Sequence, residues 1–143
     1  MTVFVALIMV VLIGFIGMAV DVGHFYVVKS ELQNAADAGA LAGAANVTNH
    51  YQEALIFVKK NSSDGVLLSD ADIQCMDASN AIISCSTPAA KIKVTVSRDS
   101  TNNGGPVPTY FIRILSPGGS LNAYPIGATA TAEFKSGRPH LIK

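Results

Sequence analysis

The hydrophobic pattern divides the chain into two regimes. From Met1 to Val20 (MTVFVALIMVVLIGFIGMAV) no charge interrupts the run, and Thr2 carries the single hydroxyl. Twenty such residues in a helix rise about 30 Å, the thickness of a bilayer's hydrocarbon core. Gly14 and Gly17 lie inside this run. They either let another helix approach closely or are simply tolerated in lipid. Asp21 is the first charge and stands where the run ends. An acid there costs far less than the roughly 2.5–3.5 kcal/mol of a mid-bilayer position. It reads as an interfacial boundary marker or as an electrostatic partner for a neighbouring subunit.

Past Asp21 the helical signal continues to about Ala45. Leu32, Ala35, Ala36, Gly39, Ala40 and Gly43 recur at helical spacing, with Ser30, Asn34 and Asp37 on the other face. An unbroken helix over 1–45 would be roughly 70 Å long, more than a membrane span requires. The apolar stripe is built from small residues, so it buries little area but admits a backbone closely, as at Gly39-x-x-x-Gly43. Its partner is either the protein's own remaining domain or a helix of another subunit.

Asn46-Val47-Thr48-Asn49 breaks the pattern, and a second helix is predicted over 50–60. Asn49 is its expected cap with Gln52 as capping-box partner, and Tyr51, Ala54, Leu55 and Val58 form its apolar face. Asn61 to Gly65 turns the chain. The remainder alternates like a sheet. Ile73–Cys75 and Ala81–Cys85 flank the turn Asp77-Ala78-Ser79-Asn80, which would bring the two cysteines near one another. Lys91 to Arg98 is the clearest strand, with Ile92, Val94 and Val96 on one face. Asp99 to Pro106 reads as a flexible loop. Tyr110 to Leu115 reads as a short helix capped by Thr109, or as a strand, and Ser116-Pro117-Gly118-Gly119 stops it. The last strand spans about Ile126 to Phe134, with Ile126, Ala128, Ala130, Ala132 and Phe134 inward. Ser136 to Lys143 reads as a loose tail with Arg138, His140 and Lys143 exposed. The expected fold class is α+β: a long N-terminal helix over 1–47 and a small antiparallel-sheet head over 48–143 with one or two short helices.

Composition adds exclusions. The chain has 143 residues and a formal net charge of zero. No basic patch points to nucleic acid. Cys75 and Cys85 both lie beyond the apolar run, so one disulfide is expected if the head is exported. No Lys or Arg precedes the apolar run, and the first basic residue is Lys29. A membrane anchor ordinarily carries cations on its cytoplasmic flank, so the expectation is either that a basic leader has been removed from the sequence shown or that Met1 is an internal residue of a longer precursor. A cleavable secretory signal is disfavoured, because the run is too long for a signal's apolar region. The histidines His24, His50 and His140 are scattered and show no zinc spacing. Asp64, Asp70, Asp72 and Asp77 lack the spacing of a calcium loop and read as solvated surface. No phosphate loop and no nucleophile–base signature occurs, so neither an enzyme nor a cofactor is expected.

Two strings resemble a known family. The apolar run ends in Ala19-Val20-Asp21-Val22-Gly23, and Leu32-Gln33-Asn34-Ala35-Ala36-Asp37-Ala38-Gly39-Ala40-Leu41-Ala42-Gly43-Ala44 follows. Together they resemble the TadE/TadG-like proteins of tight-adherence (Tad) pilus systems. Val107-Pro108-Thr109-Tyr110-Phe111 and Gly127-Ala128-Thr129-Ala130-Thr131-Ala132 are similar more weakly. The resemblance implies a pilin-like protein of the bacterial envelope with its head outside the cytoplasmic membrane. Type IV pilins usually carry a Glu five residues into the mature helix; here Phe4 and Val5 occupy that region. Longer family members carry an adhesion-type domain, for which this chain is too short.

The resulting expectation is a structural subunit of an extracellular filament that polymerises with copies of itself through its N-terminal helix. It would reach the cell surface from the inner membrane with the help of pilus assembly machinery. The alternative is a minor membrane-anchored assembly protein with a periplasmic head. The helix positions assigned to assembly are Phe4, Leu7, Val11, Gly14, Gly17, Asp21, Ala35, Gly39 and Gly43, with Cys75 and Cys85 as the disulfide.

Overall fold

The computed structural model describes residues 1–46, 48–85, 89–115, 118–119, 122–135 and 138–142. Helix α1 runs unbroken over Thr2–Ala45, 44 residues, and α2 over His50–Lys59. Strands β1 (Ser62–Ser63) and β2 (Val66–Leu67) form a small hairpin. Asp64 and Gly65 at its tip both have positive φ, the geometry of a tight hairpin turn. Strands β3 (Asp72–Met76), β4 (Ile82–Ile83), β5 (Lys91–Arg98), β8 (Ile126–Lys135) and β9 (Arg138–Ile142) make a five-stranded antiparallel sheet in the order β4-β3-β5-β8-β9. Strands β6 (Val107–Pro108) and β7 (Ala123–Tyr124) pair separately, with the short helix α3 (Ile112–Leu115) between them in sequence. The α+β class expected from the pattern is the class observed.

One face of the sheet carries the core. Ile92, Val94 and Val96 of β5 and Ala128, Ala130 and Ala132 of β8 are buried beneath α1 and α2. The lysines and threonines between them face outward; Thr95 and Thr129 hydrogen-bond across the strands at 3.1 Å. The small residues of the α1 stripe permit this close layering. A Cβ on Gly39 would lie 2.7 Å from Val58 Cγ2, and one on Gly43 would lie 3.0 Å from the His50 carbonyl oxygen. The two partners left open for the stripe are thereby separated: the protein's own head covers it.

Several local expectations change. Helix α2 buries His50, Ala54 and Val58, while Tyr51 faces solvent. His50 Nδ1 donates to the Gly43 carbonyl at 2.8 Å, and its Nε2 accepts from the Ala89 N–H at 3.1 Å. The Asn49 side chain makes no cap bond. Instead Asn46 Oδ1 accepts from the N–H groups of Thr48 and Asn49. The loop after β5 is pinned rather than flexible. Asn103 is buried, its Oδ1 accepting from the Ser69 and Asp70 N–H groups and its Nδ2 donating to the Asp70 and Ser97 carbonyls. Asn103 and the two following glycines have positive φ, which lets the loop fold back. Nor is the tail loose: residues 138–142 pair along β8 and satisfy its outer edge, with Pro139 tolerated on an edge strand. His140 sits 3.0 Å from Glu133 of the neighbouring strand. The expectations that Phe134 points inward, that Arg138 and Lys143 are exposed, and that Ser116-Pro117 stops the helix fall on side chains and residues outside those described.

Candidate functional site

Among the first twenty residues only Gly17 is buried. Phe4 is 71% exposed, Leu7 60% and Val11 56%, and a Cβ on Gly14 would meet open space. A contiguous apolar surface of this extent is absent from ordinary water-exposed monomers, where large patches mark interaction sites or lipid contact. The segment is long and apolar enough to cross a membrane.

The rod meets the head at Asp21. Its carboxylate is 1% exposed and collects three backbone donors from the start of α3. Tyr110 N–H lies 2.8 Å from Oδ1 and Ile112 N–H 2.8 Å from Oδ2, while Phe111 N–H is shared between the two oxygens at 3.2 and 3.1 Å. The first N–H groups of a helix have no partner within it. A carboxylate supplies both the acceptors and the charge that suits a helix start. One turn earlier, the Phe111 ring lies on Gly17, where a Cβ would be 2.5 Å from its nearest atom. Glycine at 17 is thus required by Phe111. The His24 ring lies 5.1 Å from Tyr110 and the Phe25 ring 5.8 Å from Tyr124, extending the junction.

A polar cluster sits beside it. His24 Nε2 is 3.0 Å from Asp64 Oδ1, and Arg98 Nη1 is 3.3 Å from Asp64 Oδ2. Arg98 is buried and also donates to the Ser63 and Gly105 carbonyls, while Glu31 accepts from the Asp64 N–H at 2.7 Å. Asp64 is therefore the anion that a buried guanidinium requires, not the solvated acid expected; Asp70 and Asp72 are exposed as expected. The cluster ties the β1–β2 hairpin to α1 and β5. Among the described residues no group of three or more His, Cys, Asp or Glu side chains is placed to hold a metal.

Of the positions assigned to assembly, Phe4, Leu7, Val11 and Gly14 lie on uncovered helix. Gly17 and Asp21 meet α3, and Ala35, Gly39 and Gly43 lie under α2 and the sheet. Asp21, read as a boundary marker or as a partner for another subunit, has its donors within its own chain. Cys75 and Cys85 form a disulfide across the β3–β4 hairpin, Cα to Cα 5.2 Å. The Asp21–α3 junction was not read from sequence. Its available signal was an acid closing an apolar run together with Thr109-Tyr110-Phe111 opening a short helix.

Residues 1–46 match a family model, Tad, described as putative Flp pilus-assembly TadE/G-like. No curated protein and no solved structure matches the chain. The match covers α1 and its C-cap and stops short of Val107–Ala132, where the weaker similarity lay. The resemblance read in the strings up to Ala44 is borne out over the residues that this family model matches.

Proposed function

We propose that the chain is a structural subunit of a pilus-like filament, stored in the cytoplasmic membrane and assembled through the uncovered part of α1. The observation that carries this reading is the bare apolar surface of residues 2–20, rigidly continuous with a helix whose second half is buried in its own head. Such a surface needs a water-free neighbour. Lipid supplies one before assembly, and the helices of other copies supply one after it. Transfer between the two has little hydrophobic cost, because both exclude water. Phe4, Leu7, Val11 and Gly14 are the positions offered to those neighbours. The head lies outside the cytoplasmic membrane, where a disulfide persists, and pilus assembly machinery moves the subunit. The role is structural rather than catalytic.

A second reading has one observation in its favour: the matching family is described by pilus assembly rather than as filament subunits. In it the chain is a minor membrane-anchored protein whose head remains in the periplasm. Quantitative mass spectrometry of sheared surface filaments separates the two. A repeating subunit is expected at the stoichiometry of the filament's main component. Its absence from sheared filaments, with all of it extracted from membranes by detergent, refutes the first reading.

A further inference from the structure

We propose that α3 and the residues leading into it form a second membrane-inserted element, seated among the acyl chains of the outer leaflet beside the spanning helix. This rests on the part of the proposed function that places residues 1–20 across a bilayer, and not on the filament.

The placement follows from register. Phe111 lies on Gly17, and Phe111, Ile112 and Ile114 share an apolar groove of about 280 Å³ with Val10, Gly14 and Met18 of α1. Gly14 is seven residues before Asp21, about 10 Å along the helix axis toward the N-terminus. At that level α1 is apolar on every side, with Ile13, Phe15, Ile16 and Met18 all exposed. A helix that is apolar all round resides in lipid or in a protein core. Whatever touches it at that level shares its solvent. Ile114 is 71% exposed and Phe111 is also open at its outer side, so α3 brings apolar surface to a depth where the rod is itself bare.

The polar groups of the element agree with this depth. Its three leading N–H groups are taken by Asp21, so the start of α3 enters lipid with those donors satisfied. Tyr110 and Tyr26 are exposed near Asp21, the level at which tyrosines collect at a membrane–water interface. Arg113 is exposed beside Ile112 and Ile114. A long cationic side chain at this position can extend to lipid phosphates while its stem covers apolar surface. The occupant is therefore lipid, with anionic headgroups as the partner of Arg113.

The chain contains no tryptophan, so a single introduced Trp is a unique reporter. Ile114→Trp, Val11→Trp on the spanning run and Ile82→Trp on the far edge of the sheet are each reconstituted at low density. Two sets of phosphatidylcholine and phosphatidylglycerol vesicles are used, with acyl chains brominated near the headgroup end in one and near the methyl end in the other, so that both the level of α3 and the bilayer centre are read. All three positions are exposed, so each tolerates the larger ring. Ile114→Trp should lose about twofold of its emission to the brominated lipid, as an acyl-chain residue does, while Ile82→Trp is unaffected. Quenching of Val11→Trp without quenching of Ile114→Trp overturns the proposal. A red-shifted Ile114→Trp spectrum would then place α3 in water, and a blue-shifted one would place it under another copy. Failure of both Val11→Trp and Ile114→Trp to be quenched instead removes the membrane span, and the inserted element with it.

Discussion

Replacing Asp21 by alanine tests how the rod is joined to the head. The carboxylate accepts from the N–H groups of Tyr110, Phe111 and Ile112, the outer two at 2.8 Å. A hydrogen bond to a charged group is worth about 1.5–3 kcal/mol, and loss of a helix cap alone costs about 1 kcal/mol. The three donors share one carboxylate, so their losses do not add, and water reaches the vacated site. Alanine's better helix propensity returns at most about 0.7 kcal/mol. A local cost of about 3 kcal/mol is the reasoned value, equivalent to roughly a hundredfold rise in the opening of residues 107–115. The sheet has its own core and should not respond. Hydrogen–deuterium exchange of the detergent-solubilised chain reads this directly: amides of 110–112 should exchange roughly a hundredfold faster in Asp21→Ala, with those of β5 unchanged. Asp21→Asn keeps one acceptor oxygen and should fall between. Exchange at 110–112 within about threefold of the parent would refute the role given to Asp21, as would equal acceleration of β5.

Three further outcomes follow from the same packing and hydrogen bonds. Gly39→Ala gains about 1 kcal/mol of helix propensity, but its methyl meets the stiff, buried Val58 at 2.7 Å, and overpacking costs about 1–3 kcal/mol. The melting temperature should fall; a rise would show that α2 yields freely. Reducing the Cys75–Cys85 disulfide, which closes a sequence separation of 10, should remove about 2–3 kcal/mol in denaturant titration. An unchanged midpoint would mean that the β3–β4 hairpin alone restrains the unfolded chain. Asp99 is held below the usual carboxylate range by the Thr101 hydroxyl, then by the Thr101 N–H, Ser97 and Asn102. Asp77 is lowered by the Ser79 hydroxyl and the Ala81 N–H against a smaller opposing effect of burial. Both pKa values lie lower in the folded than in the unfolded chain, so their contribution is complete above the ordinary value of about 3.9 and is lost as pH falls below it. Thermal melts from pH 5 to pH 2 should therefore decline less steeply in Asp77→Asn/Asp99→Asn than in the parent, and parallel declines would contradict this.

What the sequence determined alone was whatever repeats within a few residues. The uncharged run of Met1–Val20, the helical stripe from Leu32 to Gly43 and the strict alternation of Lys91–Arg98 each specify an element by local periodicity, and each is present with nearly the expected bounds. The Cys75–Cys85 pairing was also within reach, because a short hairpin separates its ends. Contacts across long stretches of chain were decided only by tertiary structure. Asp21 meets donors 89 to 91 residues away, Asp64 meets Arg98 across 34, and Asn103 closes on Ser69 and Asp70. A carboxylate or amide has the same appearance in sequence whether it is hydrated or buried: the partners of Asp21 and Asn103 are backbone groups carrying no residue-specific signal, and those of Asp64 are side chains distant in the chain. A stripe of small residues equally fits a sheet or another helix, since both need only close approach. The packing of the head on Gly39 and Gly43 made that choice, and it left the first turns of α1 uncovered.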